Sequence, residues 1–281
     1  MGGNVFQQLK RAKLLTILGA AAFSAVLFAP AAQADTPALG YTQFAGCPTV
    51  EEDPQSLVCV RTDVTGGSFV MGSKTVPIEK TIPLIGGVDE NLENFVYNSE
   101  GGLRPVQQKV PGGVVGLTGL DWLTDLLGVN ALKLYATTEL AGTPNVNVFE
   151  EPLELPIKVH LTNPGGLLGN NCYIGSDSNP ISLNLITGTT SPPPPNTPIK
   201  GKGATFSFDE SSLISYLKDG TFVDNSFAAP GAKGCVLNLG LIPLNLDSIV
   251  NLQAGLPSPA GKNTTVQDFD AELVESEVVY P

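Results

Sequence analysis

The sequence predicts a mainly β chain: a β-sandwich or barrel-like set of antiparallel sheets with one or two short helices. Three observations predict it. Glycine (31) and proline (23) recur at short intervals through the 281 residues, which breaks helices and feeds turns. Charged residues are only 15% of the chain, while Val, Leu, Ile and Thr are frequent. Several stretches alternate apolar and polar residues with a period of two, the signature of half-buried strands.

The first residues have a different character. Lys10, Arg11 and Lys13 form a positive segment, and from Leu14 to Ala34 there is no charge. Pro30 interrupts the apolar run, and Ala32-Gln33-Ala34 places small residues just before Asp35. This order is that of a secretory signal peptide cleaved after Ala34, which leaves 35–281 as a single β-rich secreted domain. The rival reading is a membrane anchor, since about 20 uncharged residues suffice to span a bilayer. Pro30 and the well-placed Ala-Gln-Ala argue against it, so no membrane span is expected after cleavage. No Cys follows the apolar run, which disfavours a lipoprotein, and no Arg-Arg pair marks the twin-arginine route.

Cleavage would remove three of the 15 basic residues and none of the 27 acidic ones. Twelve basic against 27 acidic residues give the mature chain a formal charge of −15. Nucleic-acid binding rests on Lys and Arg neutralising phosphates, so a nucleic-acid partner is excluded. The four cysteines, Cys47, Cys59, Cys172 and Cys235, all lie beyond the export signal, where oxidation is permitted. Four cysteines allow three connectivities. The expected one is Cys47–Cys59 with Cys172–Cys235, because near neighbours in an N-terminal segment usually close locally. A zinc site fits poorly: there is no Cys-x-x-Cys pair and only one His. No metal, cofactor or catalytic residue is therefore assigned.

Along the mature chain, residues 35–62 read as a short hairpin or loop closed by the first bridge. Ser68 to Leu84 reads as strands broken at Gly72 and Pro77. Leu103 to Gly119 reads as strands with tight turns. Leu120, Leu123, Leu126 and Leu127 repeat at helical spacing, with Gly128 as a stop, and predict a short amphipathic helix. Leu132 to Glu139 alternates. The clearest strand is Leu153 to Leu161, where Leu153, Leu155, Ile157, Val159 and Leu161 face one side and Glu154, Pro156, Lys158 and His160 the other. Pro156 lacks an N–H and predicts an edge position or a bulge. Further strands are expected at Ile181–Leu185, Ala204–Phe208, Val236–Leu241 and Phe269–Val279. Ser212 to Lys218 reads as a second short helix, capped by Asp209 or Ser211 and ended by Gly220. Ser191-Pro-Pro-Pro-Pro-Asn-Thr-Pro198 reads as extended polyproline, a long loop within one domain if a Cys172–Cys235 bridge spans it.

Four stretches resemble those of a group of uncharacterised secreted bacterial proteins. They are Leu155-Pro-Ile-Lys-Val-His-Leu-Thr-Asn-Pro164, Cys172-Tyr-Ile-Gly-Ser176 with Asn179-Pro-Ile181, Asp224-Asn-Ser-Phe-Ala-Ala-Pro-Gly-Ala-Lys-Gly-Cys235, and Leu256-Pro-Ser-Pro-Ala-Gly-Lys-Asn-Thr-Thr265. The resemblance implies export and the pairing of Cys172 with Cys235. It carries no known activity and transfers no functional residue.

Candidate chemistry is sparse. His160, the only histidine, would have to be the base of any Ser-His-Asp hydrolase, yet no Gly-x-Ser-x-Gly is present and the residue reads as an exposed strand position. Glu150, Glu151, Glu154, Asp209 and Glu210 could supply glycosidase carboxylates, but nothing singles out a pair. Trp122 reads as packed on its helix rather than as a sugar platform. Asp89, Glu90, Asn91 and Glu93, or Asp177 and Asn179, are candidate calcium ligands that read as solvated turns and match no EF-hand loop. Gly112–Val129 is apolar and reads as core in preference to a self-association patch. An outer-membrane barrel would need longer lipid-facing bands than these proline-broken strands provide.

The leading expectation is a non-enzymatic extracellular or envelope-associated structural or interaction protein, its partner an envelope component or a second copy. A secreted hydrolase with an unrecognised site is the alternative. Mass spectrometry of the protein produced in its native cell should find a chain that begins at Asp35 and, without reduction, no alkylatable thiol. Membrane-bound protein retaining residues 1–34 contradicts the export reading.

Overall fold

The computed structural model describes residues 36–92, 94–120, 132–146, 152–238 and 243–281. Residues 35–281 form one compact unit. Strand dominates it, arranged chiefly as two antiparallel sheets with sandwich-like packing.

The first sheet is built from β1 (Val58–Met71), β2 (Lys74–Pro77), β3 (Ile82–Val88), β4 (Gly102–Leu103), β10 (Thr205–Asp209), β11 (Ile214–Asp224) and β15 (Thr264–Glu275). Its order is β10-β11-β15-β1-β3-β4, with β2 extending the same side of β1 as β3. The second sheet contains β5 (Gln107–Lys109), β6 (Tyr135–Leu140), β7 (Leu153–Thr162), β8 (Cys172–Ile174), β9 (Ile181–Leu185) and β12 (Ala232–Lys233), ordered β12-β8-β7-β6-β5 with β9 also on β7. A small hairpin, β13 (Val236–Asn238) and β14 (Pro243–Asn245), stands apart. Three short helices complete the described residues: α1 (Gly113–Thr118), α2 (Asp247–Ala254) and α3 (Ser276–Val279). No helix among the described residues is long and apolar enough to cross a membrane.

The alternation in Leu153–Leu161 is realised as expected. Leu155, Ile157, Val159 and Leu161 are buried and join Ile181, Leu183 and Leu185 of β9 in the principal core. Met71 contributes from β1, Val114 and Leu117 from α1, and Val250 from α2. A second core covers the other face of the first sheet, where Phe44, Cys47 and Cys59 meet Ile214, Val274 and Val279.

Pro156 corrects the edge-strand reading, because β7 has neighbours on both sides. Its N–H position faces the segment following β6, where Ala141 N donates to Pro156 O and the Asn145–Glu154 bridge resumes the pairing. The chain opposite loops out between those two points, so the missing donor breaks no ladder bond.

Two expected elements are of the wrong type, and the strand expected at Phe269–Val279 ends at Glu275, with Ser276–Val279 helical. Ser212–Lys218 is not a helix: Ile214 onward is β11, paired with β15 from Ser215↔Leu273. Asp209 does accept hydrogen bonds from Ser211 N, Ser211 Oγ and Ser212 Oγ at 2.7–2.9 Å, but this capping chemistry closes the β10–β11 turn instead. Conversely, Gly113–Thr118 within the expected strand region is a helix, because Val114, Leu117 and Thr118 bury one helical face and Gly119 ends it with a left-handed φ of 69°. The polyproline stretch is also not uniformly extended: it turns at Pro194-Pro195. The N-terminal segment is a loop with a short 3-10 turn at Thr42–Phe44 and no hairpin. The helix expected from Leu120 to Leu127 lies, beyond Leu120, outside the described residues.

The first sheet bends at one level. β1 bulges between Val64 and Gly66, and β11 between Leu217 and Gly220, both beside Phe269 of β15. A Cβ on Gly220 would sit 2.4 Å from the Phe269 ring, so glycine is what lets that ring lie over the strand. Loop closure is polar. Asn263, fully buried, accepts from Gly72 N and donates to Phe227 O, Ser258 O and Pro259 O. Asn196 of the proline loop donates to Asn225 O and Asn263 O.

The bridges are Cys47–Cys59 and Cys172–Cys235, 12 and 63 residues apart, and no described cysteine is free. On chain-entropy arithmetic the longer loop stabilises by roughly 4 kcal/mol and the shorter by roughly 3. Urea denaturation should therefore rank the paired variants: C172S/C235S loses more stability than C47S/C59S, each by about those amounts. The reverse order would show that packing around the first bridge, not loop length, sets the difference.

Candidate functional site

The outer face of β7 carries a group of chemically able side chains. Cross-strand register sets His160 opposite Thr137 of β6 and Tyr173 of β8, and Tyr173 opposite Lys233 of β12. One row thus crosses four strands. A second row places Glu139 opposite Lys158. Alternation puts these on the outer face, with Thr137 buried there and the others partly or fully exposed, while the intervening residues fill the core.

His160 is on the outer face, as its position in the alternation requires, but it is not freely exposed. Its side chain is only 18% accessible. The Nδ1 lies 3.3 Å from Glu139 Oε1, and Nε2 is 2.8 Å from the main-chain oxygen of Asn170. The ring stacks on Tyr173 with 4.3 Å between centroids and 10° between planes. Lys158 Nζ bonds Asp177 Oδ1 at 2.7 Å and stands 5.7 Å from the centre of the Tyr173 ring.

Beside this cluster is a concavity of about 320 Å³ lined mainly by polar residues, Lys158, Asn171, Tyr173, Ser176, Asp177, Asn179 and Lys233, together with Pro230 and Gly231. That volume is at the lower end of the range for small-molecule sites. The walls are held from behind. The Cys172–Cys235 bridge joins the residue before Tyr173 to the residue after Gly234. Gly234 takes a φ of 73°, and a Cβ there would meet Asn171 O at 2.1 Å, so only glycine lets the walls approach. Asn251 of α2 clamps Ala232 twice, accepting from its N and donating to its O. Ser176 and Asn179 exchange both main-chain hydrogen bonds in the turn at the rim.

The electrostatics are local. Lys158 is shifted up, chiefly by the hydrogen bond to Asp177. Burial, then the Glu139 charge, raises Tyr173. Lys233 has no carboxylate partner among the described residues.

The other candidates do not assemble. Asp177 is engaged by Lys158, and Asp89 accepts from Asn91 N and Asn94 Nδ2 in a turn of its own. Among the described residues no three His, Cys, Asp or Glu side chains converge on a point where a metal could sit. Hydrogen bonds, Ser211 Oγ first, lower Asp209, the opposite of what a general acid needs. Glu154 bonds Asn145 Nδ2. Glu93, Trp122, Glu150 and Glu151 lie outside the described residues. The sequence reading missed Tyr173, Lys233 and Asn170; the signal was their position, within two residues of bridged cysteines. Three of the stretches quoted for the family resemblance supply most of the concavity's walls.

No protein-family model, curated protein or solved structure matches the chain.

Both raised groups have one sign. Each holds its proton to higher pH in the folded state than in the unfolded one, so their contribution is complete below about pH 10 and is lost as pH rises through the folded values. Ultraviolet titration of the folded protein should show a tyrosinate component displaced to the alkaline side, which Tyr173→Phe removes. Loss of a component in the ordinary tyrosine range instead contradicts the burial of Tyr173 beside Glu139.

Proposed function

We propose that the chain is an exported, non-enzymatic interaction protein of the extracellular space or cell envelope, and that the Tyr173 concavity holds an acidic glycan. The observation that carries this is the saturation of the only histidine beside a preorganised polar hollow. Glu139 gives His160 the orienting carboxylate of a triad, but the nitrogen that would face a serine is bound to Asn170 O. His160 is therefore not free to act as the base of a serine nucleophile.

What surrounds it suits recognition. Asn171, Asn179 and Ser176 offer the amide and hydroxyl groups that pair with sugar hydroxyls. Tyr173 is an aromatic wall, and Lys233 is a cation for a carboxylate or phosphate substituent. The walls are tied by a disulfide and a side-chain clamp, so little ordering is needed on binding. Two disulfides support folding in an oxidising compartment. The family resemblance points to export as well.

Binding of purified envelope glycans to the mature protein tests the reading. Acidic glycans should bind, and Tyr173→Ala or Lys233→Glu should weaken binding about tenfold or more, corresponding to at least 1.4 kcal/mol. No shortened or de-esterified product should accumulate. Product release that His160→Gln abolishes refutes the non-enzymatic reading, and binding indifferent to both variants refutes the site.

A further inference from the structure

We propose that the free edge of the first sheet is a self-association surface, on which β10 pairs antiparallel with β10 of a second copy of this chain. β10 reads Thr205-Phe-Ser-Phe-Asp209 and is the terminal strand of its sheet, hydrogen-bonded to β11 on one side only. Natural edges are guarded by charges, prolines or bulges. From Thr205 to Phe208 this strand has none of them, and all four residues are exposed.

Phe206 and Phe208 are 65% and 50% exposed and lie on one face. Register identifies that face: Phe206 pairs with Leu217, Leu217 with Ala271, Ala271 with Thr62, and Thr62 with Leu84, which is buried. It is therefore the core-facing side of the sheet, running out past the cover that buries its centre.

The occupant follows from the strand's own pattern. A two-fold axis at Ser207 sets Phe206 of each copy opposite Phe208 of the other, giving two cross-strand aromatic pairs on that uncovered face. The charges select the same arrangement. Exposed Lys200 and Lys202 precede the strand, and Asp209 and Glu210 end it. Antiparallel pairing brings each basic end to an acidic end, whereas parallel pairing would set like charges together. The strand is thus self-complementary in shape, hydrogen bonding and charge. The two rings on each copy supply roughly 450 Å² of apolar burial in the pair, well below the about 1,200 Å² of a stable standard interface. The association is therefore weak and concentration-dependent.

Sedimentation velocity on the mature protein, from low micromolar to near-millimolar concentration, tests this. The natural chain should shift reversibly from monomer to dimer. F206S/F208S should remain monomeric with an unchanged circular dichroism spectrum, as expected for two exposed side chains. Glu210→Lys or Lys202→Glu alone should weaken the dimer, and K202E/E210K together should restore it. A monomer at every concentration overturns the proposal and leaves the edge to a different partner. So does a dimer indifferent to F206S/F208S, or a double reversal weaker than either single change.

Discussion

The pairing of β15 with β1 is the constraint on which the rest of the molecule depends. These strands come from opposite ends of the folded unit, yet they run side by side from Val58↔Glu275 to Val70↔Thr264. β15 also carries β11 on its other edge, so the last strand of the chain lies in the interior of the first sheet. Every later feature of that sheet is referred to this strand. The bulges in β1 and β11 flank Phe269, and the second core closes only when Val274 and Val279 arrive against Cys47 and Cys59. Contacts so distant in sequence are entropically costly to close, which makes folding slow and the bridges correspondingly valuable.

The two bridges act on different parts of this arrangement. Cys47–Cys59 pins the N-terminal loop to β1, on the outer side of the first sheet. Cys172–Cys235 ties β8 to the segment just after β12, at the far edge of the second sheet. It therefore shapes the hollow beside Tyr173 as well as constraining the chain. Stability and the candidate site share this bridge, so a rigid polar wall follows from the same covalent link that narrows the unfolded ensemble.

Much of the strand content was legible because period-two burial is a local property. Ile181–Leu185 and Leu153–Leu161 have it, and both are strands at the expected places. The errors fell where local signals admitted two outcomes. In Ser212–Lys218, Leu213, Ile214 and Leu217 have helical spacing and Asp209 is a good cap, but the free edge of β15 offers this segment a full ladder. In Gly113–Thr118 the β-branched and glycine residues disguise a helix whose buried face is assigned by contact with α2 and the core. Pro156 marked an irregularity correctly, but the irregularity is in the neighbouring chain.

By itself the sequence determined the β class, the number and spacing of the cysteines, the excess of acidic over basic residues and the positive N-terminal segment, since each follows from composition or from neighbours a few residues apart. Only the tertiary structure decided that His160 is held on both nitrogens, that Tyr173 stacks on it and that Lys233 lies beside Tyr173 at the hollow. Those relations are set by strand register and by a link between residues 63 apart. Register depends on which strands meet, and no local pattern encodes the partner.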